Sequence, residues 1–124
     1  MNRPASDRLA RWWTDRKVRQ TLEDLIDFVT IADDLVSRGA DNFLADRVLQ
    51  VAAEAIITRI GEAANRLPSA FTNDFPEIPW SRIIDMRNRL VHHYEATDPQ
   101  QVWVALQRSV PEFAAALGLN DIPR

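Results

Sequence analysis

An all-α bundle of four to five helices is the architecture that this chain of 124 residues specifies. Three observations lead there. Alanine and aliphatic residues are abundant and glycine occurs only 3 times, a composition that favours helix. Apolar residues recur at three- and four-residue spacings along most of the chain. Prolines and cap residues punctuate the ends of these periodic segments, with Pro111 as an exception inside one. The length suffices for one domain with a buried core, read as residues 1–124 with loose ends over 1–10 and 119–124.

The first helical pattern runs from about Asp7 to Ser37, with Val18, Leu22, Leu25, Ile26, Val29 and Ala32 on one face and Gly39 as the stop. Trp12 and Trp13 near its start read as core or interface packing; a base-stacking platform is the alternative. Asp41 or Asn42 caps a second helix over residues 42–66. One side of it carries Leu44, Val48, Val51 and Ala55, the other Leu49, Ala53, Ile56, Ile60 and Leu67. A helix apolar on two sides is central to a bundle, or shared between the bundle and a partner subunit. Pro68 ends it, and residues 68–79 form a connector with Phe71 and Phe75 packed on the core. Pro79-Trp80 opens a third helix that runs to about His92. Thr97-Asp98-Pro99 starts a fourth, with Val102, Trp103, Leu106, Val110, Phe113 and Leu117 on its apolar face. Pro111 bends or splits that helix, and Gly118 ends it.

Composition also excludes several classes of function. There is no cysteine, so disulfides and thiolate metal sites are ruled out. The charged N-terminus lacks the apolar segment of a secretory signal, and no apolar run approaches the ~20 residues of a membrane span. The expectation is a cytoplasmic protein. A net charge of −3 gives no overall affinity for nucleic acid, so any RNA contact must come from a local arginine cluster. Adjacent histidines project apart on a helix and no carboxylate set has ligand spacing, so neither a metal nor a cofactor is expected.

The stretch Met86-Arg87-Asn88-Arg89-Leu90-Val91-His92-His93-Tyr94 concentrates the chemistry. On a helical wheel, Trp80, Ile83, Ile84, Leu90 and Val91 form an apolar stripe with Arg87 in its middle, while Arg82, Asp85 and Arg89 face the other way. A guanidinium on a buried face is costly unless it is paired or aimed into a polar cleft. Glu62 lies on the first apolar stripe of the second helix, two turns beyond Ala55, so the sequence predicts that Glu62 and Arg87 meet. The pair is read either as a purely structural ion pair or as a carboxylate that holds Arg87 in the geometry a phosphate needs.

The segments Ile60-Gly61-Glu62-Ala63-Ala64-Asn65-Arg66-Leu67, Ile78-Pro79-Trp80, Met86 to Tyr94 and Val102-Trp103 resemble the HepT-like branch of the HEPN superfamily. The motif of that branch is arginine, four to six residues, histidine, any residue, tyrosine, and Arg87, His92 and Tyr94 meet it. The spacing selects His92 and leaves His93 as the variable, accessory position; Asp85 departs from the glycine common before Met-Arg-Asn. The resemblance runs from about Asp41 to Phe113. It implies a HEPN-like helical toxin that works as a homodimer and cleaves RNA, tRNA or mRNA, without metal. It also implies a minimal nucleotidyltransferase (MNT-type) antitoxin that transfers AMP to the motif tyrosine, Tyr94.

The residue types suit that chemistry. Attack of a ribose 2′-OH on the adjacent phosphate needs a base, an acid for the leaving 5′-oxygen, and positive charge on the phosphorane. His92 is suited to proton transfer near neutral pH. Arg87 offers a fixed fork of donors to phosphate oxygens. Asn88 supplies a further hydrogen bond, Tyr94 orients phosphate or ribose, and Arg82 and Arg89 are candidate RNA contacts. One motif offers one committed histidine, so two protomers sharing a cleft would complete the acid–base pair. The alternative is a non-catalytic docking module that serves as partner and modification substrate of the nucleotidyltransferase.

Overall fold

The computed structural model describes residues 3–92 and 98–122, with only the helical backbone described at Val91 and His92. The described residues are all-α, as the sequence predicts. The helices are α1 (Ala5–Trp12), α2 (Arg16–Val36), α3 (Ala40–Ala45), α4 (Arg47–Arg66), α5 (Ser69–Asn73), α6 (Trp80–His92), α7 (Pro99–Val104) and α8 (Val110–Leu117). A π-helical turn over Ala105–Ser109 joins α7 to α8, and a 3-10 turn over Leu119–Asp121 follows.

Helix α4 is the axis: α2 packs on one side of it and α6 on another. Its inward stripe of Ala53, Ile56, Ile57 and Ile60 is buried against Val18, Leu22, Leu25 and Ile26 of α2 and the apolar face of α7 and α8. Thr21 is the one polar side chain buried in this core among the described residues.

Two expected helices are each divided by an aspartate. The pattern over Asp7–Ser37 breaks at residues 13–15, where Asp15 is extended and its carboxylate accepts from Val18 N at 3.1 Å, capping α2. The pattern over 42–66 breaks at Asp46, whose carboxylate accepts from Val48 N at 2.9 Å and caps α4. Apolar periodicity continues across both breaks, which is why spacing alone reads each as one helix. Leu44 therefore belongs to α3 rather than α4. Gly39, with φ 88°, precedes α3 in a left-handed conformation that suits glycine.

Where the sequence predicts loose ends over 1–10 and 119–124, residues 5–10 and 119–121 are helical. Residues from Ala5 onward form α1, and its Leu9 is fully buried. Gly118 ends α8 at φ 75°, and a Cβ there would lie 2.8 Å from Ser6 N, so this end of α8 and the start of α1 are packed backbone to backbone. Leu119 is buried just beyond it. Pro111 distorts the fourth helix without breaking it. It lacks an N–H for the carbonyl four residues back, and the chain widens into the π turn, with Val110 N donating to Ala105 O.

A polar strap fastens α1 to the connector ahead of α6. Arg8 donates to Asp74 O at 2.6 Å and to Glu77 Oε1 at 2.7 Å, with its guanidinium 4.6 Å from the centre of the Phe75 ring. Trp12 Nε1 and Arg11 Nη2 both donate to Asp74 Oδ2, at 3.0 and 3.1 Å. Trp12 also meets Phe71 edge-on at 5.4 Å, so the tryptophan is packed as the sequence predicts. The Trp12 hydrogen bond holds the Asp74 carboxyl below its ordinary range, and Arg8 does the same for Glu77. A depressed folded-state pKa stabilises above the unfolded value and loses its contribution as pH falls through the folded one. The melting temperature of Asp74→Asn is therefore expected to lie below the native value at neutral pH. That gap should close as pH drops well under the usual carboxylate value of about 4. A pH-independent gap in thermal melts contradicts the strap.

Candidate functional site

Helix α6 is held at its start by Trp80. The indole Nε1 donates to Phe75 O at 3.1 Å, and the ring meets Phe113 at 5.8 Å and Phe71 at 6.3 Å, both edge-on. Ile78 is buried immediately before it. Two turns along, Arg87 leaves α6 toward α4, as the wheel predicts. Arg82, Asp85 and Arg89 are exposed on the opposite face.

The predicted meeting of Glu62 and Arg87 occurs, with Glu62 Oε1 3.8 Å from Arg87 Nη2. Arg87 Nη1 donates to Asn88 Oδ1 at 2.8 Å, and the Asn88 amide N–H groups have no partner among the described residues. The Arg87 side chain is 29% exposed and Glu62 is 35% exposed. The guanidinium is therefore neither buried nor fully solvated. Its Nε is inaccessible and has no hydrogen-bond partner among the described residues, while its Nη end reaches the surface. A long ion pair of this kind contributes little to stability, on the order of 0–1 kcal/mol. An arginine held this way is weakly neutralised at its exposed end, which suits it to an anion.

Gly61 is the residue that sequence reasoning passed over. It is buried in α4 directly beneath Arg87. A Cβ on Gly61 would collide with Arg87 Cβ, stand 2.8 Å from Arg87 Cγ, and touch Ile83 O at 3.5 Å. The signal was available: glycine inside a helix costs about 1 kcal/mol relative to alanine, so an interior glycine asks for a packing reason.

The other sequence candidates divide. Arg82 lines a cleft of about 410 Å³ with Ser109, Glu77 and Glu112, and the two glutamate carboxylates oppose any phosphate there. Neither Arg82 nor Arg89 is brought to Arg87 within one chain. His92 is the last residue of α6, on the helix that carries Arg87, and its side chain lies outside the described residues, as do His93 and Tyr94. No cluster of three or more potential metal ligands occurs among the described residues.

With this geometry in hand, comparison with known proteins decides the family. Residues 18–118 match the family described as ribonuclease HepT-like. The chain belongs to the HepT-like ribonuclease family. Among its relatives, "Putative RNase MJ0127" of Methanocaldococcus jannaschii is 32% identical over 90 residues, 73% of this chain and 72% of that protein. "Probable ribonuclease HepT" of Thermococcus cleftensis is 29% identical over 99 residues, 79% of this chain and 90% of that one. No solved structure matches. The family match begins at Val18, inside α2, so α1 and its arginines lie outside it, whereas α4, α6 and the motif residues lie inside.

If Glu62 orients Arg87 rather than holding the fold together, Glu62→Gln is expected to change unfolding free energy by less than about 1 kcal/mol. Its effect should appear in RNA cleavage instead. A loss of several kcal/mol in denaturant titration would mark the pair as structural.

Proposed function

We propose that this HepT-like protein is the toxin of a HEPN/MNT toxin–antitoxin pair, a metal-independent endoribonuclease acting on tRNA or mRNA in the cytoplasm. The observation that carries the reading is the half-exposed Arg87 guanidinium, clamped at its stem and aimed outward beside Asn88, on the helix that ends at His92. Arg87 binds the scissile phosphate and stabilises the charge that builds on it. His92 moves a proton to or from the 2′-OH or the leaving 5′-oxygen. Asn88 adds a donor, Glu62 positions Arg87, Tyr94 orients the ribose or phosphate, and His93 and Arg89 extend the RNA contact.

A homodimer completes the site. Leu44, Val48 and Val51 are 40%, 75% and 49% exposed, and Ala55 is exposed too. On α4 the run Val48, Val51, Ala55 continues at helical spacing to Glu62, so this apolar surface leads toward Arg87. Val104 on α7, which packs against both α3 and α4, is 49% exposed as well. An uncovered apolar strip of this kind supports a second copy pairing along α4, which would bring two motifs to one cleft and supply the second imidazole.

In this reading the partner nucleotidyltransferase silences the toxin by joining AMP to the Tyr94 hydroxyl, with pyrophosphate leaving from ATP. The bulky, charged adduct on the motif then competes with the RNA phosphate.

The test is RNA cleavage by purified protein in EDTA. Arg87→Ala and His92→Ala are each expected to lower the rate by about 10²–10⁴-fold. Cleavage at the native rate by both variants overturns the site. Val48→Asp combined with Val51→Asp is expected to give a monomer by sedimentation and to lose cleavage along with the dimer. Co-expression with a minimal nucleotidyltransferase should add about 330 Da per AMP, absent in Tyr94→Phe. AMP addition to a native protein that never cleaves RNA favours the docking module over the enzyme.

A further inference from the structure

We infer that Gly61 is a positioning residue for the reaction: the notch it leaves in α4 sets where the Arg87 guanidinium stands. The inference rests on the assignment of Arg87 to phosphate binding. A side chain of four rotatable bonds emerging from a helix ordinarily samples many rotamers. Here the first two carbons, Cβ and Cγ, are seated where a Gly61 Cβ would otherwise be. The α4 backbone closes one side of the stem, and Nε is inaccessible beyond it. What remains accessible is the Nη end, held by Asn88 Oδ1 and faced by Glu62. Glycine thus converts a flexible cation into one whose approach direction is fixed by two packed helices.

The alternative use of a helix-interior glycine is close helix packing for stability alone. The two differ in what a methyl group should do. Arg87 Cβ is fixed to its backbone, so alanine at Gly61 must push α6 away at Arg87 by about 1 Å, and a misplacement of that size is enough to cost about 100-fold in rate. Gly39 provides the control. It is strained toward any L side chain at φ 88° but has nothing within 4 Å of its absent Cβ, so Gly39→Ala loses stability without touching Arg87.

The experiment compares native protein, Gly61→Ala and Gly39→Ala by kcat and KM on RNA and by the ¹H–¹⁵N resonance of Arg87 Nε. In the native protein that resonance should be distinct and slow to exchange, because Nε is inaccessible. Gly61→Ala is expected to shift or broaden it and to lower kcat by about 100-fold, with KM changed far less. Gly39→Ala should lower the melting temperature and leave both the resonance and kcat in place. A native resonance averaged to that of an exposed arginine overturns the inference, even if Gly61→Ala fails to fold. So does a folded Gly61→Ala that keeps the native resonance and native kcat. If the native protein cleaves no RNA but Gly61→Ala still displaces the resonance, the positioning stands and the nuclease reading falls.

Discussion

The contact between the stem of Arg87 and the bare backbone at Gly61 is the constraint on which the arrangement turns. It lets α6 pack closely along α4 and makes the side chain at that position a cation rather than an aliphatic. Everything nearby accommodates it. Glu62 is the next residue of α4 and faces the guanidinium at a distance too long for a strong bond. Asn88 is the next residue of α6 and takes one N–H. Buried charge is destabilising unless compensated, and this compensation is partial by design of the geometry: the stem is enclosed and the head is left open.

The rest of the fold reads as support for that point. Trp80 is wedged between Phe71 and Phe113 and anchored to Phe75 O, which fixes the start of α6 about two turns before Arg87. The Arg8 and Trp12 strap holds Asp74 and Glu77, the polar residues of the connector that delivers α6. Helix α1 lies outside the span that matches the family, so one side of this strap comes from beyond that span. It gives the chain a second hold on the segment that sets the angle of α6.

Much of this was legible in the sequence. The all-α class, α6 from Trp80 to His92, the buried face of α7 and α8, and the approach of Glu62 to Arg87 all follow from 3.6-residue spacing. The breaks at Asp15 and Asp46 were not legible, because the apolar pattern runs through them and an aspartate within such a pattern reads as a surface residue until its backbone is seen to be extended. The docking of α1 was hidden for a different reason. Its hold on the fold comes from a buried leucine, a close backbone approach at Gly118 and hydrogen bonds to residues more than 60 positions away. Local pattern carries no information about such partners. At the site, the role of Gly61 was invisible on the wheel because a missing side chain leaves no mark on an apolar stripe. The positions of His92, His93 and Tyr94 rest on the motif spacing, since their side chains lie outside the described residues.

The central claim is that a fixed guanidinium meets a phosphate that is attacked by its own ribose. The chemistry of the RNA ends tests it most directly. Attack by the 2′-OH leaves a 2′,3′-cyclic phosphate on one fragment and a free 5′-hydroxyl on the other. Cleavage in EDTA that yields those ends, and fails on RNA carrying a 2′-deoxy sugar at the scissile position, is the result expected. Fragments bearing 5′-phosphate and 3′-hydroxyl ends, or cleavage indifferent to the 2′-deoxy substitution, would contradict the account.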